Sequence, residues 1–140
     1  MAESIANILV KKDLKEYRYK KTGIEELEDK IKYLEENKLK NYNGWNSKNE
    51  KDWTERLIDT NAKLSIYKRN LEENKRLINS MDKAMGVLNK TEKHIIHDLY
   101  LSSNKSSIDQ LCRKLNYSRS SIYKILDDAI HKLSLFLYGE

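Results

Sequence analysis

Apolar residues recur along this chain at spacings of three and four rather than in alternation, so the pattern predicts helices and no sheet. Ile24, Leu27, Ile31 and Leu34 fall on one stripe of a first arm. In a second arm Leu57, Leu64, Leu71, Ile78 and Met85 lie seven apart, with Thr60, Tyr67, Asn74, Met81 and Leu88 in the companion positions. That is a coiled-coil seam of about five heptads. Two capping boxes, Thr22-Gly23-Ile24-Glu25 and Ser47-Lys48-Asn49-Glu50, predict helix starts, because hydroxyl and carboxylate there satisfy free amides of a first turn reciprocally. Asn41-Tyr42-Asn43-Gly44-Trp45-Asn46 between them reads as a hairpin loop joining two antiparallel helices.

The arms as read differ in length. Ser47 to about Leu88 would run roughly 60 Å as a helix, and Thr22 to about Asn41 covers about half of that. Either the amphipathic N-terminal segment with Ile5, Leu9 and Leu14 continues the first arm, or a second protomer covers the remainder. The stripe serves correspondingly as intramolecular core or as a self-association seam, in which Tyr67 and Asn74 would fix the register.

From Leu88 onward the grammar changes to short helices with tight links. A helix opening at Thr91 carries Ile95, Ile96, Leu99 and Tyr100, and Ser102-Ser103-Asn104-Lys105-Ser106 forms a polar link. Ser107 caps a second helix with Gln110 three residues on, expected to bury Ile108, Leu111, Cys112 and Leu115. Asn116 suits the left-handed conformation of a sharp inter-helix turn. Ser118 caps the last helix, whose apolar face is Ile122, Ile125, Leu126, Ala129, Ile130 and Leu133 and whose opposite face begins with Arg119, Ser120, Tyr123 and Lys124. The fold class is all-α: a long coiled-coil-like hairpin over 1–88, then a helix-turn-helix domain over 89–140. In such a motif the first residues of the second helix meet base edges in the major groove.

Composition narrows this picture. Proline is absent from the 140 residues and glycine occurs only four times, which suits long unbroken helices. A net charge of +5 favours an anionic partner. The excess is not concentrated at the motif: Thr91 to Lys132 holds seven basic against five acidic residues. A lone domain so weakly charged should bind DNA poorly, which points to a homo-oligomer, a dimer first, or to a second contact. Lys11 to Lys21 holds six basic residues against Asp13 and Glu16, with Tyr17 and Tyr19 interleaved, and is either a phosphate-contacting stretch or a solvated face.

Catalytic and metal chemistry find little to stand on. No phosphate-cradling glycine loop, nucleophile elbow or zincin motif occurs, so neither an enzyme nor a cofactor is expected. Cys112 is the single cysteine and reads as a small buried packing residue; His94, His97 and His131 lack the carboxylate pattern of a metal site. With no long apolar run, the expectation is a cytoplasmic protein with no membrane contact.

The run Leu88 to Leu133 resembles region four of bacterial sigma factors. The likeness rests on Thr91-Glu92-Lys93, on Leu111 to Lys124 and on Ala129-Ile130-His131-Lys132-Leu133. Placed after a charged helical segment and ending in Leu135-Phe136-Leu137-Tyr138-Gly139, it is similar to phage transcriptional regulators of the RinA and ArpU type. The resemblance implies a sequence-specific transcriptional regulator of phage or prophage late genes, an activator, with double-stranded DNA as partner and contact with RNA polymerase left open. It implies that Arg119, Ser120, Tyr123 and Lys124 occupy the DNA-reading positions, and Ser118, Ser121, Arg113, Lys114 and Lys105 are expected to bind DNA with them. Asp127 and Asp128 depart from the basic continuation expected of sigma factors, so the later part of the helix should leave the groove. Two other readings fit the same pattern: a DNA-packaging subunit like the small terminase subunits of phages, and a coiled-coil adaptor.

Overall fold

The computed structural model describes residues 3–43 and 50–140, and the side chains of all of these but 39–43, 50 and 51. The chain is all-α: α1 (Ile5–Asn43), α2 (Glu50–Met85), α3 (Lys90–Ile96), α4 (Ile108–Leu115) and α5 (Arg119–Tyr138), with a π-helical turn at His97–Leu101 between α3 and α4. Among the described residues there is no strand.

Three expectations about the arms change. First, α1 runs straight through Thr22-Gly23-Ile24-Glu25, which therefore starts no helix. The stripe of Ala6, Val10, Leu14 and Tyr17 continues into Ile24, Leu27, Ile31 and Leu34 at helical spacing. Packing along it outweighs the roughly 1 kcal/mol that a glycine costs inside a helix. Second, Asn41, Tyr42 and Asn43 extend α1 instead of opening the loop. The rest of that predicted loop, and the capping box at Ser47 up to Asn49, lie outside the described residues. Third, the two readings left open for the uncovered length reduce to one: the N-terminal segment with Ile5, Leu9 and Leu14 continues the first arm, and α1 at 39 residues and α2 at 36 are near equals.

The chain divides into two compact units, Lys21–Arg76 on one hand and Met1–Lys20 with Leu77–Glu140 on the other. These bounds differ from a division at 88/89. The reason is the start of α1, whose buried stripe belongs with the helices that follow Leu77.

In Lys21–Arg76, α1 and α2 pair as the two arms of a hairpin. Lys68 binds Glu35 at 2.7 Å and Lys75 binds Glu28 at 3.3 Å, so positions rise along one arm as they fall along the other. Lys30 sits over the Tyr67 ring at 5.7 Å. The stripe is only partly closed: Leu64 and Leu71 are buried, whereas Ile24, Leu27, Ile31 and Leu34 are half-buried.

The other unit closes a fuller core. Val10 and Leu14 of α1, Ile78, Met81 and Ala84 of α2, Leu88, Ile95 and Ile96, Leu111 of α4, and Ile122, Ala129, Ile130 and Leu133 of α5 are all buried. Two tyrosines tie its helices: Tyr17 donates to Asp82, and Tyr138 donates to Asp13. Loss of solvent, followed by the adjacent carboxylate, pushes each phenol up to about 12.

Candidate nucleic-acid interface

The helix-turn-helix is built from its caps. Ser107 accepts from the Gln110 amide at 3.2 Å while Gln110 Oε1 accepts from the Ser107 amide at 2.8 Å, the predicted capping box of α4. α4 ends at Asn116, whose φ of 59° and ψ of 44° are left-handed. Among the described residues it is the one non-glycine residue with positive φ. Asparagine tolerates this because its short polar side chain reduces the penalty. The amides of Asn116 and Tyr117 both return to the Cys112 carbonyl, and the chain turns within three residues into α5. Ser118 then accepts from the Ser121 amide at 3.2 Å and caps α5.

The upstream helix starts one residue earlier than predicted. Asn89, not Thr91, sets it: Asn89 accepts from the Glu92 amide and Glu92 accepts from the Asn89 amide, both at 2.9 Å. The sequence carried this signal in Asn89-Lys90-Thr91-Glu92. Glu92 is almost fully buried and also receives Lys132 of α5 at 2.8 Å, so one carboxylate joins the start of α3 to the flank of α5. After Ile96 the helix widens into the π-helical turn, with the Ser102 amide on the His97 carbonyl at 2.8 Å. The polar link is pinned there as well, since the Ser106 amide reaches the Asp98 carbonyl at 2.8 Å.

Asp98 is the second interior carboxylate. Its side chain meets Lys114 of α4 at 3.2 Å, His94 Nε2 at 3.2 Å off the line of a hydrogen bond, and His97 Nδ1 at 3.4 Å. Burial alone would push this carboxyl up. The hydrogen bonds of Lys114 and His97, and the charges of His94 and Lys114, outweigh it and hold the group below its ordinary value.

The predicted site residues distribute as follows. Arg119, Ser120, Tyr123 and Lys124 lie exposed along the start of α5, and Arg113, Lys114 and Lys105 are exposed on or before α4. Ser118 and Ser121 are occupied by the cap, with their hydroxyls 2.9 Å apart and Ser120 Oγ 3.2 Å from Ser118. Lys114 is tied to Asp98. Arg119 Nη1 lies 3.6 Å from Asp109 Oδ1 at the start of α4. Its guanidinium pKa is held above the ordinary value by a side-chain hydrogen bond with Tyr123 first and by the charge of Asp109 next.

The core prediction for α4 needs correcting: Leu111 is buried, but Ile108, Cys112 and Leu115 are half-buried, as is Ile125 on α5. An eight-residue helix covered by α5 on one side cannot close more than its central position. Asp127 and Asp128 are exposed, and beyond them Ala129, Ile130, Leu133 and Ser134 turn into the core. Sequence reasoning missed Asp98, Glu92 and Asp109 as partners. Only the i, i+4 spacing of His94 and Asp98 and the capping box at Asn89 could have shown the first two.

Among the described residues no three His, Cys, Asp or Glu side chains gather as metal ligands, and no helix is long and apolar enough to cross a membrane. Comparison with protein families, with curated proteins and with solved structures finds no match.

Proposed function

We propose that the chain binds double-stranded DNA through α5 and acts as a sequence-specific transcriptional regulator. One observation carries the reading: a capped α4, a left-handed Asn116 and a capped α5 leave Arg119, Ser120, Tyr123 and Lys124 exposed together on the first turns of a helix whose other face is core. A helix with such an end fits the major groove, and its N-terminal amides and partial positive charge favour phosphate. Activation of phage or prophage late genes together with RNA polymerase is the task implied by the resemblance to sigma region four and to the RinA and ArpU regulators. The small charge surplus supports a homodimer as the active form. Leu64 and Leu71 are already buried within the chain, so self-association would use another surface.

The test is a titration of wild type, Arg119→Ala and Lys124→Ala against a duplex enriched from a random pool and against its scrambled version, at several salt concentrations. Arginine pairs bidentately with guanine, so Arg119→Ala loses about 1–3 kcal/mol on the enriched duplex and relaxes preference at one base pair. Lys124→Ala weakens both duplexes alike, with a shallower salt dependence. Circular dichroism should show both variants folded, because both side chains are exposed. Unchanged binding in both variants removes α5 from the interface.

A further inference from the structure

The start of α1 has two faces. Ala6, Val10, Leu14 and Tyr17 turn into the core, while Ile5, Ile8, Lys12, Lys15 and Tyr19 lie on the opposite side of the same helix and are all exposed. Their spacings alternate between three and four residues, the periodicity with which one helix packs on another. Ile5 is 75% and Ile8 51% exposed, with Leu9 open beside them, so the first turns present adjoining apolar side chains to water. The turns that follow present charge. Lys11 to Lys21 carries six basic against two acidic residues, so four units of the net +5 lie there. Both acidic side chains are engaged, Asp13 with Tyr138 and Glu16 with Lys20. Lys11 is held by Glu3, but Lys12 and Lys15 form no ion pair among the described residues.

We propose that this outer face of α1 is a docking surface for an acidic amphipathic helix of another protein, with apolar residues against Ile5 and Ile8 and carboxylates against Lys12 and Lys15. The face runs about 21 Å from Ile5 to Tyr19, the reach of a partner helix of about fifteen residues. Charge and apolarity together select this occupant. A second copy of the same face fits poorly, because Lys12 is the middle of the five positions and meets Lys12 of the copy in parallel or antiparallel pairing. Duplex DNA would answer Lys12 and Lys15 with phosphate, but would set Ile5 and Ile8 against a charged, hydrated backbone. A helix with an apolar seam and carboxylates further along matches both parts at once. Asp13, between the two lysines, meets Tyr138 at the last turn of α5, whereas Arg119 stands at the first. Docking and DNA reading therefore use different surfaces.

The experiment uses the full chain and the peptides it enriches from a random library of helical peptides about fifteen residues long. Enriched peptides should be acidic and carry apolar residues at spacings of three and four. Against one such peptide, Ile5→Ser/Ile8→Ser should lose about tenfold in affinity. Lys12→Gln/Lys15→Gln should lose about fivefold, with a shallower salt dependence, and Lys12→Arg/Lys15→Arg should bind as wild type does. Circular dichroism should show every variant folded, since all four side chains are exposed. No enrichment, enrichment of basic peptides, or peptides that bind every variant alike would overturn the proposal. So would a face taken by nucleic acid: Lys12→Gln/Lys15→Gln would then flatten the salt slope on a scrambled duplex by about two phosphates, where no change is expected. A face taken by a second copy would overturn it too, and would show in sedimentation equilibrium as a lower mass for Ile5→Ser/Ile8→Ser than for the wild type.

Discussion

Lys21–Arg76 and the unit that contains α5 draw on the same kind of apolar stripe, yet they bury it to different depths. In the first, one arm covers the other, and among the described residues only Leu64 and Leu71 reach burial while Ile24, Leu27, Ile31 and Leu34 stay half-open. In the second, helices meet from several sides, and Val10, Leu14, Ile95, Ile96, Leu111, Ile122 and Leu133 are closed completely or nearly so. A stripe specifies that a helix has an inside; the number of elements that meet it decides how far inside that is. Local stability should follow, with the hairpin opening more readily than the unit that holds the candidate interface.

The largest effect expected is therefore at α5. Leu133→Ala should lose about 2–5 kcal/mol in denaturant unfolding followed by circular dichroism, since the residue is fully enclosed and its cavity cannot collapse. Next comes Lys132→Met, which strands the Glu92 carboxylate in the interior without its partner. A loss of about 1–3 kcal/mol is expected, less than for a wholly buried pair because the Lys132 side chain is 44% exposed. Leu71→Ala in the hairpin should lose only about 1–2 kcal/mol, because a seam covered from one side relaxes around the gap. Losses at Leu71 as great as at Leu133 would break the comparison.

The smallest effect is confined to alkaline pH. Tyr17 and Tyr138 have folded-state pKa values of about 12, raised from the ordinary 10. The fold favours their protonated forms, so their contribution is complete below pH 10 and is lost as pH rises from 10 towards 12. The thermal midpoint should fall over that window, and less steeply in Tyr17→Phe/Tyr138→Phe. Asp98 works in the opposite sense. Its carboxyl is held below the ordinary value, so its contribution is present at neutral pH and is lost as pH falls below about 4.

What was legible in the sequence, and what was not, divides along the same line. Local chemistry was legible: Ser107 with Gln110, Asn116 and Ser118 stand where their capping and turn preferences put them, because each acts on amides within a few residues. The apolar face of α5 was legible for the same reason, with Ile122, Leu126, Ala129, Ile130 and Leu133 all buried. Features that depend on distant partners were not. Thr22-Gly23-Ile24-Glu25 has the form of a helix start, but the packing of α1 on either side of it keeps the helix going. Lys114 was expected at the DNA, and its bond to Asp98, sixteen residues away, was not legible. Cys112 read as buried, but α4 is too short and too lightly covered to enclose it. The Asp109–Arg119 contact joins two helices across the turn, and no periodicity within either one encodes it.

The central claim is that the chain meets duplex DNA with the exposed start of α5 and not with the hairpin arms. Amide and side-chain chemical shifts of the isotopically labelled full chain, followed while the enriched duplex is added, test it most directly. The account predicts the largest shifts at Arg119, Ser120, Tyr123 and Lys124, with smaller ones at Asp109 and Arg113 and none along 24–76. No shifts on addition of DNA, or shifts concentrated along 24–76 with α5 unmoved, would contradict it.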